Sequence, residues 1–373
     1  MSEYQYYEFL AIDRPLTPDE QRAVARLSSR VAPHPRRATF TYSWSNFPGR
    51  AEDVLAKYYD AMIYLANWGS RQLTFRFPKA LIDPTQMQAF IPMFDFQECV
   101  SLSTVGEYAI LNIEFHDEEG GDWIEGEGWL DRLTPLRADL LNGDYRALYL
   151  IWLKVLDFED VLETVPEPPV PPGLGRLTPA LESLIDFFEI DPSMVHVTAR
   201  ASAPADAKSK MWLRQAIARL EREECDAFLL QLAQGEPNVS VLLNKRLRDL
   251  AGVQTPAMRK PPRTVGELRA LADQWAAQER QRQAREAERK RIAKLEAFAR
   301  RESQAWTEVD ELIEQTKGSA YKEAVALLVQ LRELAIYKGQ DLAFEERLRQ
   351  IYARHSRRKA LLRRLRDAGL HPI

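Results

Sequence analysis

Cationic side chains at helical spacing near the C-terminus are the residues best placed to do chemistry. Arg354, Arg357, Arg358, Lys359, Arg363 and Arg364 cluster there, and residues 347–366 contain no Asp or Glu. Guanidinium and ammonium groups neutralise phosphates and release counterions, which produces salt-sensitive, sequence-blind binding to nucleic acid. A second cluster is centred on Arg289, Lys290 and Arg291, with Arg280, Arg282, Arg285, Lys294, Arg300 and Arg301 around it. There Glu279, Glu286, Glu288 and Glu296 are interleaved, a spacing that favours pairs along one helix. The plain alternative for both clusters is a solvated helix surface.

Two weaker constellations lie in the N-terminal half. Glu114, His116 and Asp117 open an acidic stretch that continues through Glu118, Glu119, Asp122, Glu125 and Glu127. Carboxylates beside an imidazole can hold a hard divalent cation, and period two puts Glu114 and His116 on one strand face. The stretch lacks the Asp-x-Asp-x-Asp-Gly order of a calcium loop, and Gly120-Gly121 reads as a polar hairpin tip. It can equally serve as a docking surface for a basic helix. Tyr4, Tyr6 and Tyr7, with Phe40, Tyr42 and Trp44, are spaced to stack bases on a sheet, although aromatics at strand spacing usually form core. No nucleophile elbow, phosphate loop, His-Glu-x-x-His or dinucleotide fingerprint occurs. No catalytic residue is assigned, and no cofactor is expected.

Charge is sorted along the 373 residues. Residues 101–200 hold 6 Lys and Arg against 20 Asp and Glu, whereas residues 251–373 hold 26 against 17. An overall charge of −4 therefore conceals an acidic body and a basic tail. Such asymmetry predicts a polyanionic partner for the tail, or docking on the acidic body. The two cysteines, Cys99 and Cys225, are too few for a disulfide framework or a thiolate zinc site. No secretory leader and no apolar stretch near the roughly 20 residues of a membrane span is apparent, so a cytoplasmic protein without membrane contact is expected.

These residues need elements to position them. Proline-rich stretches divide the chain into 1–164, a linker at 165–177, a helical domain at 178–254, a second linker at 255–263 and a basic helical tail at 264–373. In the first region, Tyr6–Ala11, Thr39–Trp44 and Gln72–Phe77 read as strands, and Val100–Thr104 with Tyr108–Phe115 as a hairpin turning near Gly106. Thr17-Pro18-Asp19-Glu20 has the spacing of a capping box, and helices are predicted over 51–66 and 134–155. The expected class is an α+β domain with a mixed or antiparallel sheet, followed by all-α regions with a long basic helix. Downstream, helices are predicted from Thr178-Pro179 and Asp191-Pro192, and over 211–233 and 238–250. Thr264 and Glu267 repeat the capping-box spacing. Between Ala276 and Arg291 the only apolar residues are alanines, so the middle of this helix is either solvated or lies along a partner in a coiled-coil-like manner. A break at Gly318 and a final pair over 320–337 and 341–368, joined at Gly339, complete the chain.

The last helices carry a resemblance. Trp306-x-x-Val309, Leu312-Ile313, Thr316-Lys317, Tyr321, Ala324-Val325, Leu331-Arg332 and Leu334-Ala335 form its first part. Phe344, Arg347-Leu348, His355, Arg358-Lys359, Leu362, Arg364-Leu365 and Gly369-Leu370 complete it. This pattern is similar to the C-terminal helical extension of bacterial SWIM-type zinc-finger proteins. The opening Tyr4-Gln-Tyr-Tyr-Glu-Phe9 with Ile12-Asp-Arg-Pro-Leu16 resembles the start of a bacterial family without assigned function. The SWIM resemblance implies DNA-associated machinery. It transfers no zinc ligand, because the finger's Cys-x-Cys…Cys-x-His set is absent.

The expected function is a non-enzymatic adaptor or scaffold. Its α+β domain would bind a protein partner, and its basic helices nucleic acid or an acidic protein surface. Two alternatives stand beside it. One is a structural, self-associating helical protein that binds no nucleic acid. The other is a metal-dependent hydrolase using Glu114, His116 and Asp117.

Overall fold

Strand-forming residues of the first 116 positions pair into one antiparallel sheet, and the elements described after them are helices. The computed structural model describes residues 4–28, 31, 34–43, 47–91, 99–117, 125–158, 161–204, 209–252 and 263–372. In chain order the first elements are β1 (Gln5–Leu10), α1 (Pro18–Ala25), β2 (Arg37–Tyr42), α2 (Ala51–Tyr58), β3 (Ala61–Ala66) and β4 (Ser70–Pro78). They are followed by α3 (Pro84–Gln88), β5 (Val100–Val105), β6 (Tyr108–His116), α4 (Trp129–Leu133), α5 (Pro135–Leu141) and α6 (Arg146–Phe158). Next come α7 (Pro179–Phe188), α8 (Pro192–Ala201), α9 (Ser209–Ile217), α10 (Arg222–Ala233) and α11 (Val239–Ala251). The last are α12 (Val265–Ala299), α13 (Glu302–Glu314), α14 (Gly318–Lys338), α15 (Asp341–Arg354) and α16 (Lys359–Asp367). The α+β class followed by helical regions is as expected.

The strand order is β2-β1-β3-β4-β6-β5. Helices cover both faces. Tyr7, Phe9, Phe40 and Met62 share a core with Val24 of α1 and Val54 and Leu55 of α2. On the other face Ile63, Leu73, Phe75, Leu111 and Ile113 share a core with Leu133, Leu140, Leu148 and Leu184. This corrects the base-stacking expectation: Tyr6, Tyr7, Phe40 and Tyr42 are buried. Tyr4 is half-buried, and Trp44 lies outside the described residues.

The helix predicted over 51–66 is a second correction. It ends at Tyr58, and Ala61–Ala66 is a central strand paired with both β1 and β4. Met62, Ile63 and Leu65 are all buried, on opposite faces. Because both faces are covered, the period-two signature is lost and an apolar run remains. Other predicted helices are interrupted. The 134–155 segment breaks at Asn142-Gly143, where Gly143 has φ +75°. The 211–233 segment breaks between α9 and α10, and the 341–368 segment between α15 and α16. The break assigned to Gly318 falls at Thr316 (φ +52°), and Gly318 opens α14.

Buried ion pairs tie loops to the sheet. Asp60 accepts from Arg76 Nη2 (2.8 Å) and from the backbone amides of Ile12 (2.7 Å) and Asp13 (2.9 Å). Arg137 donates to both oxygens of Asp13 at 2.9 Å. Removing one member would strand a buried charge, at a cost of about 3–5 kcal/mol.

The segment expected as a first linker is built into this core. Glu167 is buried, accepts from Arg263 (2.7 Å) and is bonded by the Tyr149 hydroxyl. Pro166 bridges Thr264, and Val265 N donates to Val165 O (2.9 Å). The start of α12 therefore packs here, with Val265, Leu268 and Ala272 in the sheet core and Trp275 stacked on His196 at 4.5 Å. The chain forms two compact units, Met1–Ala276 and Ala277–Ile373, so the division falls inside α12. The second unit has its own core, in which Val309, Ile313, Ala324, Leu328, Leu361 and Leu365 are buried. Among the described residues, no helix is long and apolar enough to cross a membrane.

Candidate functional site

The final corner, from the end of α15 through α16, is built by apolar spacing. Leu361 and Leu365 are four residues apart and fully buried in the second unit's core. At about 100° per residue, Lys359, Arg363 and Arg366 must then point to the opposite side. All three are exposed. Arg357, in the connecting turn, is exposed as well. Arg357, Lys359 and Arg363 make no ion pair with any described residue.

The other predicted contacts behave differently. Arg354 Nη1 lies 3.7 Å from Asp310. Arg358 donates to Glu314 (3.0 Å) and to the backbone carbonyl of Ile313. The carboxylate of Glu314 raises the Arg358 pKa further. Arg364 is half-buried and bonds back to Ala360 O (2.9 Å). Of the six C-terminal candidates, Arg357, Lys359 and Arg363 are exposed without an ion pair among the described residues, Arg354 is exposed near Asp310, and Arg358 and Arg364 are half-buried and bonded to the protein. Beneath them His355 is buried, and burial together with the charge of Arg358 pushes its pKa down. Arg366, the last residue of the acid-free stretch 347–366, shares the outward face. Its signal was the three-residue spacing from Arg363.

The second basic cluster has no such backing. Every residue from 281 to 291 of α12 is exposed, on all sides of the helix. Arg282 bonds Glu279 (2.8 Å) and Arg291 bonds Glu288 (2.9 Å), both along the same helix. Arg289 and Lys290 are exposed beside them.

Glu114 and His116 do share a face of β6, as period two predicts; both are exposed. Register places them opposite Gln72 and Ser70 of β4. Ser70 Oγ lies 2.7 Å from His116 Nδ1. Asn112 Oδ1 accepts from Gln72 Nε2 and from Thr74 Oγ1, each at 2.8 Å, and Gln72 also reaches Glu52 (3.3 Å). Desolvation raises the Glu114 pKa, an Asn112 hydrogen bond opposes that rise, and the charge of Glu52 adds to it. Sequence reasoning missed Ser70, Gln72 and Asn112, which strand register brings to this face, and Glu52, which the packing of α2 on the sheet brings there. Asp117 lies past the strand, where its backbone amide bonds Gly69 O (3.2 Å). Gly69 has φ +92°, and a Cβ there would meet the Asp117 carbonyl at 2.1 Å. Among the described residues, no group of three or more His, Cys, Asp or Glu side chains could hold a metal ion. Glu118, Glu119 and Asp122 lie outside the described residues.

No protein-family model, curated protein or solved structure matches this chain.

Proposed function

We propose that the protein is a non-enzymatic, cytoplasmic adaptor whose C-terminal helical unit binds the phosphate backbone of double-stranded nucleic acid. The observation that carries this reading is the outward presentation of Arg357, Lys359 and Arg363, without carboxylate partners among the described residues. Phosphate binding needs mobile, unpaired cations on a surface, and residues 347–366 supply no acid to neutralise them. Arg358, bonded to Glu314 and to the backbone of Ile313, braces the corner, while Arg354 stays exposed 3.7 Å from Asp310. In the adaptor reading, the sheet unit engages a protein partner.

The test is a salt titration of binding to a labelled DNA duplex of mixed sequence. Three phosphate contacts predict a slope of log affinity against log salt of about −2.7, or roughly a 40-fold loss from 50 to 200 mM. The slope should be the same for unrelated duplex sequences. Binding that is undetectable at low salt, or insensitive to salt, would overturn the proposal. Selective binding to an acidic protein over DNA would point to that class of partner instead.

A further inference from the structure

Helix α10 is the most anomalous element of the first unit. It buries none of its twelve residues. Leu229, Leu230 and Leu232 are 62, 58 and 47% exposed. A surface helix normally turns one apolar stripe inward. On α10 that stripe runs through Cys225, Phe228, Leu229 and Leu232, and only one flank of it is covered. Glu224, Phe228 and Gln231 are half-buried, and Glu224 bonds Arg246 of α11 at 2.6 Å. That ion pair sets the register of the two helices. One turn further along each, it places Leu242, 40% exposed, near Phe228. The uncovered flank of α10 is thus apolar and is widened by a residue of α11.

We propose that this flank is a self-association surface, occupied by α10 of a second copy of this chain. A two-fold interface uses one patch on both partners, so the patch must complement itself. An antiparallel pair of α10 helices crossing at Leu229 meets that condition. Leu229 faces Leu229 of the second copy, and Leu232 faces the turn holding Cys225 and Asp226. Arg222 at the start of one helix, which pairs with Asp226 along its own helix (3.1 Å), falls opposite Glu236, just past the end of the other, and would exchange or share that partner on association. Both Arg222 and Glu236 are exposed. The contact thus has an apolar centre and oppositely charged ends.

Size places the contact in a class. Covering these side chains removes on the order of 400 Å² of apolar surface per copy, and the polar rim brings the total near the lower end of stable interfaces, about 1,200 Å². A reversible dimer in the micromolar range is expected. The inference goes beyond the nucleic-acid reading and does not depend on it.

Sedimentation velocity of the full chain from about 1 to 100 μM tests it, a range that spans micromolar association. The wild type should shift from monomer to dimer as concentration rises. Leu229→Glu with Leu232→Glu should remain monomeric, with unchanged circular dichroism. Arg222→Glu alone should weaken the dimer several-fold, and adding Glu236→Arg should restore it. A wild type that stays monomeric throughout overturns the proposal, as does a dimer that both leucine substitutions leave intact. Failure of Glu236→Arg to rescue Arg222→Glu overturns the antiparallel arrangement.

Discussion

Two basic segments of the second half use the same residue types and reach opposite outcomes. Around Arg289, Lys290 and Arg291, α12 is exposed on every side; Arg291 pairs with Glu288 one turn away, while Arg289 and Lys290 make no ion pair with any described residue. At the corner of α15 and α16, Leu361 and Leu365 anchor the helix in a core and force Lys359 and Arg363 outward. The first arrangement spreads charge around a rod. The second collects it on one face, with no acid within residues 347–366 to offset it. Counting cations does not separate these cases, whereas the apolar residue three or four positions away does.

The comparison can be broken most forcefully through the core. Leu328→Ala removes a fully buried side chain of the second unit and should cost about 2–5 kcal/mol in thermal or urea unfolding. Ala287→Gly, in the exposed rod, should cost about 1 kcal/mol or less. Similar costs for the two would mean that the rod is packed against something.

Binding gives the next largest contrast. Replacing Arg357, Lys359 and Arg363 together by alanine should weaken duplex binding at least about 10-fold and flatten the salt slope by about 2–3. The matching replacement of Arg289, Lys290 and Arg291 should change affinity less than about 3-fold, because charge spread around a rod with interleaved glutamates sets fewer cations against one phosphate backbone at a time. Anisotropy titrations at two salt concentrations measure both. A reversed order would transfer the site to α12.

A smaller effect sharpens the distinction between braced and free cations. Asp310→Asn with Glu314→Gln releases Arg354 and Arg358 from their partners and should raise duplex affinity about 2- to 3-fold at low salt, through the added positive charge. Weaker binding in this variant would show that the braces position the corner for its ligand.

The smallest contrast is one of pH. The His355 pKa is depressed in the folded protein, chiefly by burial and then by Arg358. Its neutral form therefore favours the fold. Stability from this group is complete above the unfolded value, about 6.5, and declines as pH falls below it. Melting temperatures of the second unit should drop by a few degrees between pH 7 and 5, and His355→Gln should reduce that drop. An unchanged pH slope would remove His355 from the account.

Much of the local structure is legible because it rests on neighbouring residues. Both capping boxes form: Thr17 N bonds Glu20 at 2.8 Å, and Thr264 N bonds Glu267 at 2.9 Å. The hairpin of β5 and β6 turns at Gly106 (φ +57°), and Gly339 (φ +66°) ends α14. Strand β3 is illegible because burial on both faces erases its alternation. Residues 165–177 read as a linker because their prolines are visible, while the buried pairing of Glu167 with Arg263 depends on a residue 96 positions away. The basic corner was half legible. Its residues and the outward face of α16 follow from spacing, but which cations meet a carboxylate depends on Asp310 and Glu314 of α13, a packing partner that spacing within α15 and α16 cannot reveal.

By itself, the sequence determined the class of fold, the amphipathic helices and the segregation of positive charge to the tail, because these follow from propensities, periodicities and counts within a few turns of chain. Only the tertiary structure decided which arginines are spent on carboxylates and which remain outward. Ion pairing is settled by ångström-scale proximity between segments far apart in the chain, and that proximity exists only after the core has packed.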